Sequence, residues 1–149
     1  MTNEELGGCE EKILRGTVFS GLGEGSYYMS IYSKSFESVL GFKPYPGTLN
    51  IRLLDERSVE VYEECLRRTK AKYVIKPPKV EGMRLAEVLV WPAYIRGLKV
   101  YIVRPVITVY TSRVVEVISE YYLRELLNLA DGDRVDITLR CCNTNNDLS

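Results

Sequence analysis

Histidine is absent from all 149 residues of the chain. That absence removes histidine-based triads, imidazole general bases and His-ligated zinc, because each depends on an imidazole ring. Any catalysis must run on carboxylates, hydroxyls, amides, basic side chains, a metal ion or geometry. Net charge is missing too: 20 basic residues balance 20 acidic ones. A general nucleic-acid binder normally carries a basic surplus, so no nucleic-acid partner is expected. No apolar run approaches the roughly 18 residues that suggest a membrane helix, and no signal-peptide pattern is present. The four cysteines (Cys9, Cys65, Cys141, Cys142) lack zinc-ligand spacing, and the adjacent Cys141 and Cys142 are expected in a polar tail. Together these features predict a soluble cytoplasmic protein with reduced thiols and no membrane partner. The length suits one domain able to bury a core without disulfides or a structural metal.

What is present is mostly strand signal. Residues 1–11 are acidic and contain Gly7-Gly8, so a frayed N-terminal tail is expected there; residues 143–149 predict a polar C-terminal tail, leaving 12–142 as the domain. Strands are expected over Leu14–Phe19, Tyr27–Tyr32, Val106–Tyr110, Val114–Ile118 and Val135–Leu139, where β-branched and aromatic residues alternate with polar ones. Leu85–Ile95 and Leu98–Val103 flank Arg96-Gly97, a hairpin turn. Three short helices interrupt the strands. Ser33 is placed to cap one that Gly41 stops, Ser58 to cap Val59–Arg68, and Ser119 to cap Glu120–Leu129 with Leu123, Leu126 and Leu127 as its apolar stripe. Strand, helix, turn and strand follow one another twice, ending at Thr48–Ile51 and at Val135–Leu139. That echo suggests a small β-barrel built from two related halves.

Four stretches could carry chemistry. Ser20–Tyr28 reads S-G-L-G-E-G-S-Y-Y. Such glycines either let backbone amides approach an anion or simply form a turn, and neither the Walker nor the dinucleotide fingerprint is completed. Thr48 and Asn50, two apart on a strand, present a hydroxyl and an amide oxygen on one face. They suit a phosphate-bound Mg²⁺, or they face solvent on an amphipathic strand. Glu116 sits in V-V-E-V-I with apolar neighbours on both strand faces, where a carboxylate is either paired structurally or kept for a task. Thr108, eight residues upstream, is a second hydroxyl in an apolar run. The third helix begins S-E-Y-Y-L-R, where a helix terminus and Arg124 would favour an anion, and Tyr121 and Tyr122 either stack on a base or pack inward.

Four segments, G-T-V-F-S-G-L-G-E-G-S-Y-Y (16–28), L-G-F-K-P-Y-P-G-T-L-N-I (40–51), T-V-Y-T-S-R-V-V-E-V-I-S (108–119) and L-R-E-L-L-N-L-A-D-G-D (123–133), occur in the order found in one family. By them the chain resembles the archaeal CTP-dependent riboflavin kinases. Residues 55–85 match poorly. The resemblance implies a mainly β fold, a six-stranded cradle-loop β-barrel with short helices. It also implies transfer of the CTP γ-phosphate to the 5′-hydroxyl of riboflavin, giving FMN and CDP. Carried over residue by residue, it assigns nucleotide binding to Leu22, Gly23, Glu24, Gly25, Ser26 and Tyr27, and to Tyr121, Tyr122, Leu123 and Arg124. Thr48 and Asn50 would hold Mg²⁺, and Thr108 and Glu116 would meet the flavin, with Glu116 the candidate for orienting or deprotonating its hydroxyl. The chain departs from the family pattern at Tyr122, where a basic residue is frequent, and at Glu120, where proline is. Riboflavin and CTP are the expected small-molecule partners, with a monomer expected. The alternative is a non-catalytic barrel related to swapped-hairpin DNA-binding regulators; a flavin-carrying protein without turnover is a third reading.

Overall fold

The computed structural model describes residues 8–108 and 111–143, without the side chains of Glu24 and Tyr28. Its order is β1 (Cys9–Phe19), α1 (Glu24–Leu40), β2 (Leu49–Leu53), α2 (Glu56–Arg68), β3 (Tyr73–Ile75), β4 (Val88–Ile95), β5 (Leu98–Pro105), β6 (Val114–Ile118), α3 (Leu123–Leu126) and β7 (Arg134–Cys142). All pairings are antiparallel, in the order β3-β4-β5-β6-β2-β1-β7. β4 then meets β7 through Ala93 opposite Leu139 and Tyr94 opposite Thr138. This contact closes six strands into a barrel, with β3 hydrogen-bonded to β4 beside it. The expected double pattern is present in element order as β1-α1-β2 and β6-α3-β7.

Strand alternation generates two cores. Leu49, Ile51 and Leu53 of β2, Val115 and Val117 of β6, and Val135, Ile137 and Leu139 of β7 fill the barrel interior. Val59, Tyr62 and Cys65 of α2 pack into the same cluster. Burial pushes the Tyr62 phenol up to about 12, so it stays protonated at neutral pH. The second core lies outside the barrel, where Met29, Tyr32 and Phe36 of α1 cover Val88, Val90, Val103 and Ile118. β6 is therefore buried on both faces along all five residues.

Several expected elements change. The predicted strand Tyr27–Tyr32 and the helix expected to start at Ser33 are one 17-residue helix, α1, with Gly23 as N-cap and Gly41 as C-cap. Asp55, three residues before the expected Ser58, caps α2: its carboxylate accepts the Ser58 N–H at 2.7 Å, while Ser58 Oγ accepts the Arg15 N–H at 3.1 Å. The expected helix Glu120–Leu129 contracts to four residues, and Ser119 Oγ accepts the Tyr121 N–H instead of capping a long helix. Leu123 is buried, whereas Leu126 is exposed. Val106 and Ile107 lie in a bend after β5 and are exposed, not in a strand; Val109 and Tyr110 lie outside the described residues. Strand pairing starts at Cys9, so the expected tail over 1–11 does not extend to residues 9–11; residues 1–7 and 144–149 lie outside the described residues.

The cysteines overturn two expectations. None is free: Cys9 bonds Cys142, and Cys65 bonds Cys141. Cys141 and Cys142 are the last two residues of β7 and not part of a tail. The first bridge fastens β1 to β7 and the second fastens α2 to β7. Disulfides do not by themselves assign a compartment, since intracellular proteins of hyperthermophiles also contain them. Among the described residues no helix is long and apolar enough to cross a membrane.

The bridges span 133 and 76 residues of sequence, so each removes much freedom from the unfolded chain. Losing the Cys9–Cys142 bridge through Cys9→Ser with Cys142→Ser should cost about 2–5 kcal/mol of stability. Denaturant melts of the oxidised double variant and the parent check this. Unchanged midpoints would mean that β1–β7 pairing holds without the bridge.

Candidate active site

The elements above converge on a crevice of about 250 Å³, lined by the loop after β1, the start of α1, the turn before β2, Asn50 and the segment around α3. A smaller recess adjoins it, lined by Val117, Ser119, Tyr121 and Leu123 and sharing Thr48, Tyr122 and Arg124.

α1 points its N-terminus into this crevice. Gly23 caps the helix at φ 94°, a left-handed conformation that glycine adopts without Cβ strain. No side chain caps the helix. The amide N–H groups of a helix's first turn have no intrahelical acceptors, so this end attracts an anion. Gly25 is required for a different reason. A Cβ at Gly25 would stand 2.1 Å from Thr48 Oγ1, so only glycine lets the helix settle against that hydroxyl.

Beneath this helix end lies an oxygen cluster. Asn50 of β2 sits opposite Glu116 of β6 on one side and Phe19 of β1 on the other. The Thr48 hydroxyl lies 3.0 Å from Asn50 Oδ1 and 3.4 Å from Glu116 Oε1, its one proton shared between two acceptors. Asn50 and Glu116 are buried; Thr48 is half-buried. Among the described residues no group of three or more Cys, Asp or Glu side chains is placed to hold a metal. The Thr48 hydroxyl and the Asn50 amide oxygen nevertheless suit Mg²⁺, which binds hard oxygens and takes much of its shell from water and phosphate.

Across the crevice, Arg124 Nη2 donates to Asp131 Oδ1 at 2.7 Å and to the Phe19 carbonyl at 3.3 Å. The hydrogen bond from Arg124, with a second from Ser20, holds the Asp131 carboxyl below the usual carboxylate range. Because its folded pKa is depressed, this link is intact above the ordinary carboxylate pKa and is lost as pH falls through the lowered value. Tyr45 and Tyr122 stack at 4.6 Å between ring centroids, and the Tyr45 N–H donates to the Ser119 carbonyl at 2.8 Å. α3 has only four residues, so the long helix expected to present its terminus there does not form; the positive charge on that side is Arg124.

Of the residues singled out in the sequence, Gly23, Gly25, Ser26, Thr48, Asn50, Tyr122 and Arg124 line the crevice, and Tyr121 and Leu123 line the adjoining recess. Leu123 is also core, buried against the barrel interior. Glu116 reaches the site through Thr48. Leu22 and Tyr27 are exposed beside the crevice and do not line it. Glu24 lies in the first turn of α1, its side chain outside the described atoms. Thr108 lies in the connection after β5 and lines neither space. Ser20, Tyr45 and Asp131 lie in the segments quoted from the sequence but were given no role of their own there. The available signal was the Tyr45-Pro46-Gly47 and Asp131-Gly132-Asp133 turns, which looked like connections only.

Gly25→Ala should therefore displace Thr48 while leaving the outer core under α1 in place. Turnover is expected to fall at least about tenfold, the scale on which a small misplacement acts in a positioned site. Activity and melting temperature on one preparation check it; an unchanged rate would show that the helix end can move away from Thr48 without consequence.

Comparison with known proteins follows the same residues. The family model described as "Domain of unknown function DUF120", named CTP-dep_RFKase, matches residues 18–139. A riboflavin kinase of Aeropyrum pernix is 47% identical over 128 residues, covering 85% of this chain and 95% of its own length. One from Staphylothermus marinus is 38% identical, covering 85% of this chain and 90% of its own. One from Methanospirillum hungatei is 42% identical and longer, with the match spanning 89% of this chain but 60% of the relative. With the matched model running from the inner face of β1 to that of β7, the chain belongs to the archaeal CTP-dependent riboflavin kinase family.

Proposed function

We propose that the chain transfers the γ-phosphoryl group of CTP to the 5′-hydroxyl of riboflavin, releasing FMN and CDP. The observation that carries this reading is the Thr48–Asn50–Glu116 oxygen cluster lying under the start of α1, with Arg124 across the crevice. In phosphoryl transfer most of the catalysis comes from positioning and charge neutralisation, so the missing histidine is no obstacle. Amides at the start of α1 and the Arg124 guanidinium bind the donor's phosphates. Thr48 and Asn50 would hold Mg²⁺, which when bound neutralises phosphate charge. Glu116 orients the 5′-hydroxyl and accepts its proton as that oxygen bonds to the γ-phosphorus and the bond to the β-phosphate oxygen breaks. The Tyr45–Tyr122 stack forms an aromatic wall of the donor crevice. Membership of a kinase family leaves no support for the non-catalytic, DNA-binding alternative.

An assay for FMN from riboflavin, comparing CTP, UTP, GTP and ATP at equal Mg²⁺, should give the highest rate with CTP. Faster formation with ATP would reject the donor assignment.

Glu116→Gln keeps the shape but removes charge and basicity. The rate is expected to fall about 10²–10⁴-fold, the range for a positioned acid–base group. The melting temperature should hold or rise, because a neutral amide is less costly to bury than a carboxylate. A destabilised variant with full turnover per folded molecule would make Glu116 a structural partner instead.

A further inference from the structure

Asp131 is outside every role assigned above, yet its carboxylate is held by two residues that line the crevice, Ser20 and Arg124. Its turn is fastened to β1 by two main-chain hydrogen bonds, Gly132 N–H to the Val18 carbonyl at 2.7 Å and Val18 N–H to the Asp133 carbonyl at 2.9 Å. The turn is closed internally by the Ala130 N–H donating to Asp133 Oδ2 at 2.8 Å. The Asp131 carboxylate is thus presented from a fixed backbone, although the side chain itself is more than half exposed.

Three groups meet at that carboxylate. Ser20 Oγ donates to it, 2.8 Å from Oδ2 and 3.0 Å from Oδ1. Arg124 Nη2 donates to Oδ1 at 2.7 Å and reaches Ser20 Oγ at 3.5 Å. Every one of these Arg124 contacts, including that to the Phe19 carbonyl, falls on Nη2. The guanidinium is a rigid planar fork with donors on Nε and both terminal nitrogens. Contacts through Nη2 restrict the plane, and none of these contacts uses Nη1 or Nε. The serine belongs to the loop that leads into α1, so the same carboxylate ties the two walls of the crevice together.

We infer that Asp131 is a positioning residue: with Ser20 it sets the orientation of Arg124 and the spacing between Arg124 and the start of α1, and so the affinity for the phosphates of the nucleotide. This rests on the proposed function in that Arg124 is taken to bind those phosphates. An ordinary exposed ion pair contributes little to stability. The expected effect of Asp131 is accordingly on binding, not on folding.

The experiment is a double-mutant cycle on the full chain with Asp131→Ala, Arg124→Ala and the double variant, with Asp131→Asn as the conservative form. CDP affinity by titration calorimetry, KM for CTP against kcat, and melting temperature are measured for each. Asp131→Ala should weaken CDP binding and raise KM by about three- to tenfold, the scale of re-ordering one rotamer-rich side chain on binding, with kcat changed much less. Asp131→Asn, which keeps an acceptor, should recover part of the loss. In the Arg124→Ala background, removing Asp131 should add nothing further. Unchanged CDP affinity, which with a lowered melting temperature would make Asp131 a strut, would overturn the inference whatever that temperature. So would an equal loss with and without Arg124, or tighter binding once Asp131 is gone. In all three cases the parent still binds CDP and makes FMN; a parent that does neither would reject the proposed function and this inference with it.

Discussion

The placement of α1 across the outside of the barrel is the constraint on which the site depends. Met29, Tyr32 and Phe36 are almost completely buried against β4, β5 and β6. Full burial of a large apolar side chain is worth about 1.5–3 kcal/mol, so three of them hold the helix down firmly. That anchoring brings the first turn of the helix to Thr48, with the absent side chain of Gly25 setting the closest approach. A methyl group at Gly25 would force the helix end away from Thr48.

The same helix explains an acidic residue in an otherwise apolar strand. β6 has barrel core on one face and α1 on the other, and no free edge, because β5 and β2 flank it. Glu116 is buried in this strand, within reach of the Thr48 hydroxyl. The amide and the carboxylate are thus brought together by β2–β6 register, since Asn50 and Glu116 are cross-strand partners, and Thr48 just before β2 adds the hydroxyl. A chain without histidine can therefore still present a carboxylate at a defined place.

Much of this is legible in the sequence. The strands of the barrel wall, the Arg96-Gly97 turn and the stop at Gly41 follow from β-branched alternation and glycine placement. The candidate residues Thr48, Asn50 and Glu116 were visible because alternation puts Thr48 and Asn50 on one face and leaves Glu116 conspicuous. The start of α1 was not legible, because Tyr27, Tyr28, Met29 and Ile31 look like a strand locally. β-propensity spans only about 1 kcal/mol, and the three- and four-residue spacing of Met29, Tyr32 and Phe36 won through burial. α3 failed in the opposite sense: its leucines have helical spacing, but Asn128 turns left-handed at φ 52° and the chain leaves for β7. The disulfides were unreadable for a simpler reason. Cys9 and Cys142 are distant in sequence and become neighbours only when β1 pairs with β7.

That pairing has a consequence for how the oxidised chain is assembled. Cys141 and Cys142 are consecutive on one strand, so their side chains leave opposite faces of the barrel wall. Cys141 looks inward to Cys65 of α2, and Cys142 stands across from Cys9 on β1. Exchanging the two partners would demand that β7 slip by one residue, which would turn Ile137 and Leu139 out of the core and Thr138 and Arg140 into it. The vicinal cysteines are thus matched to a single register: only the strand alignment that fills the barrel sets both of them against their partners.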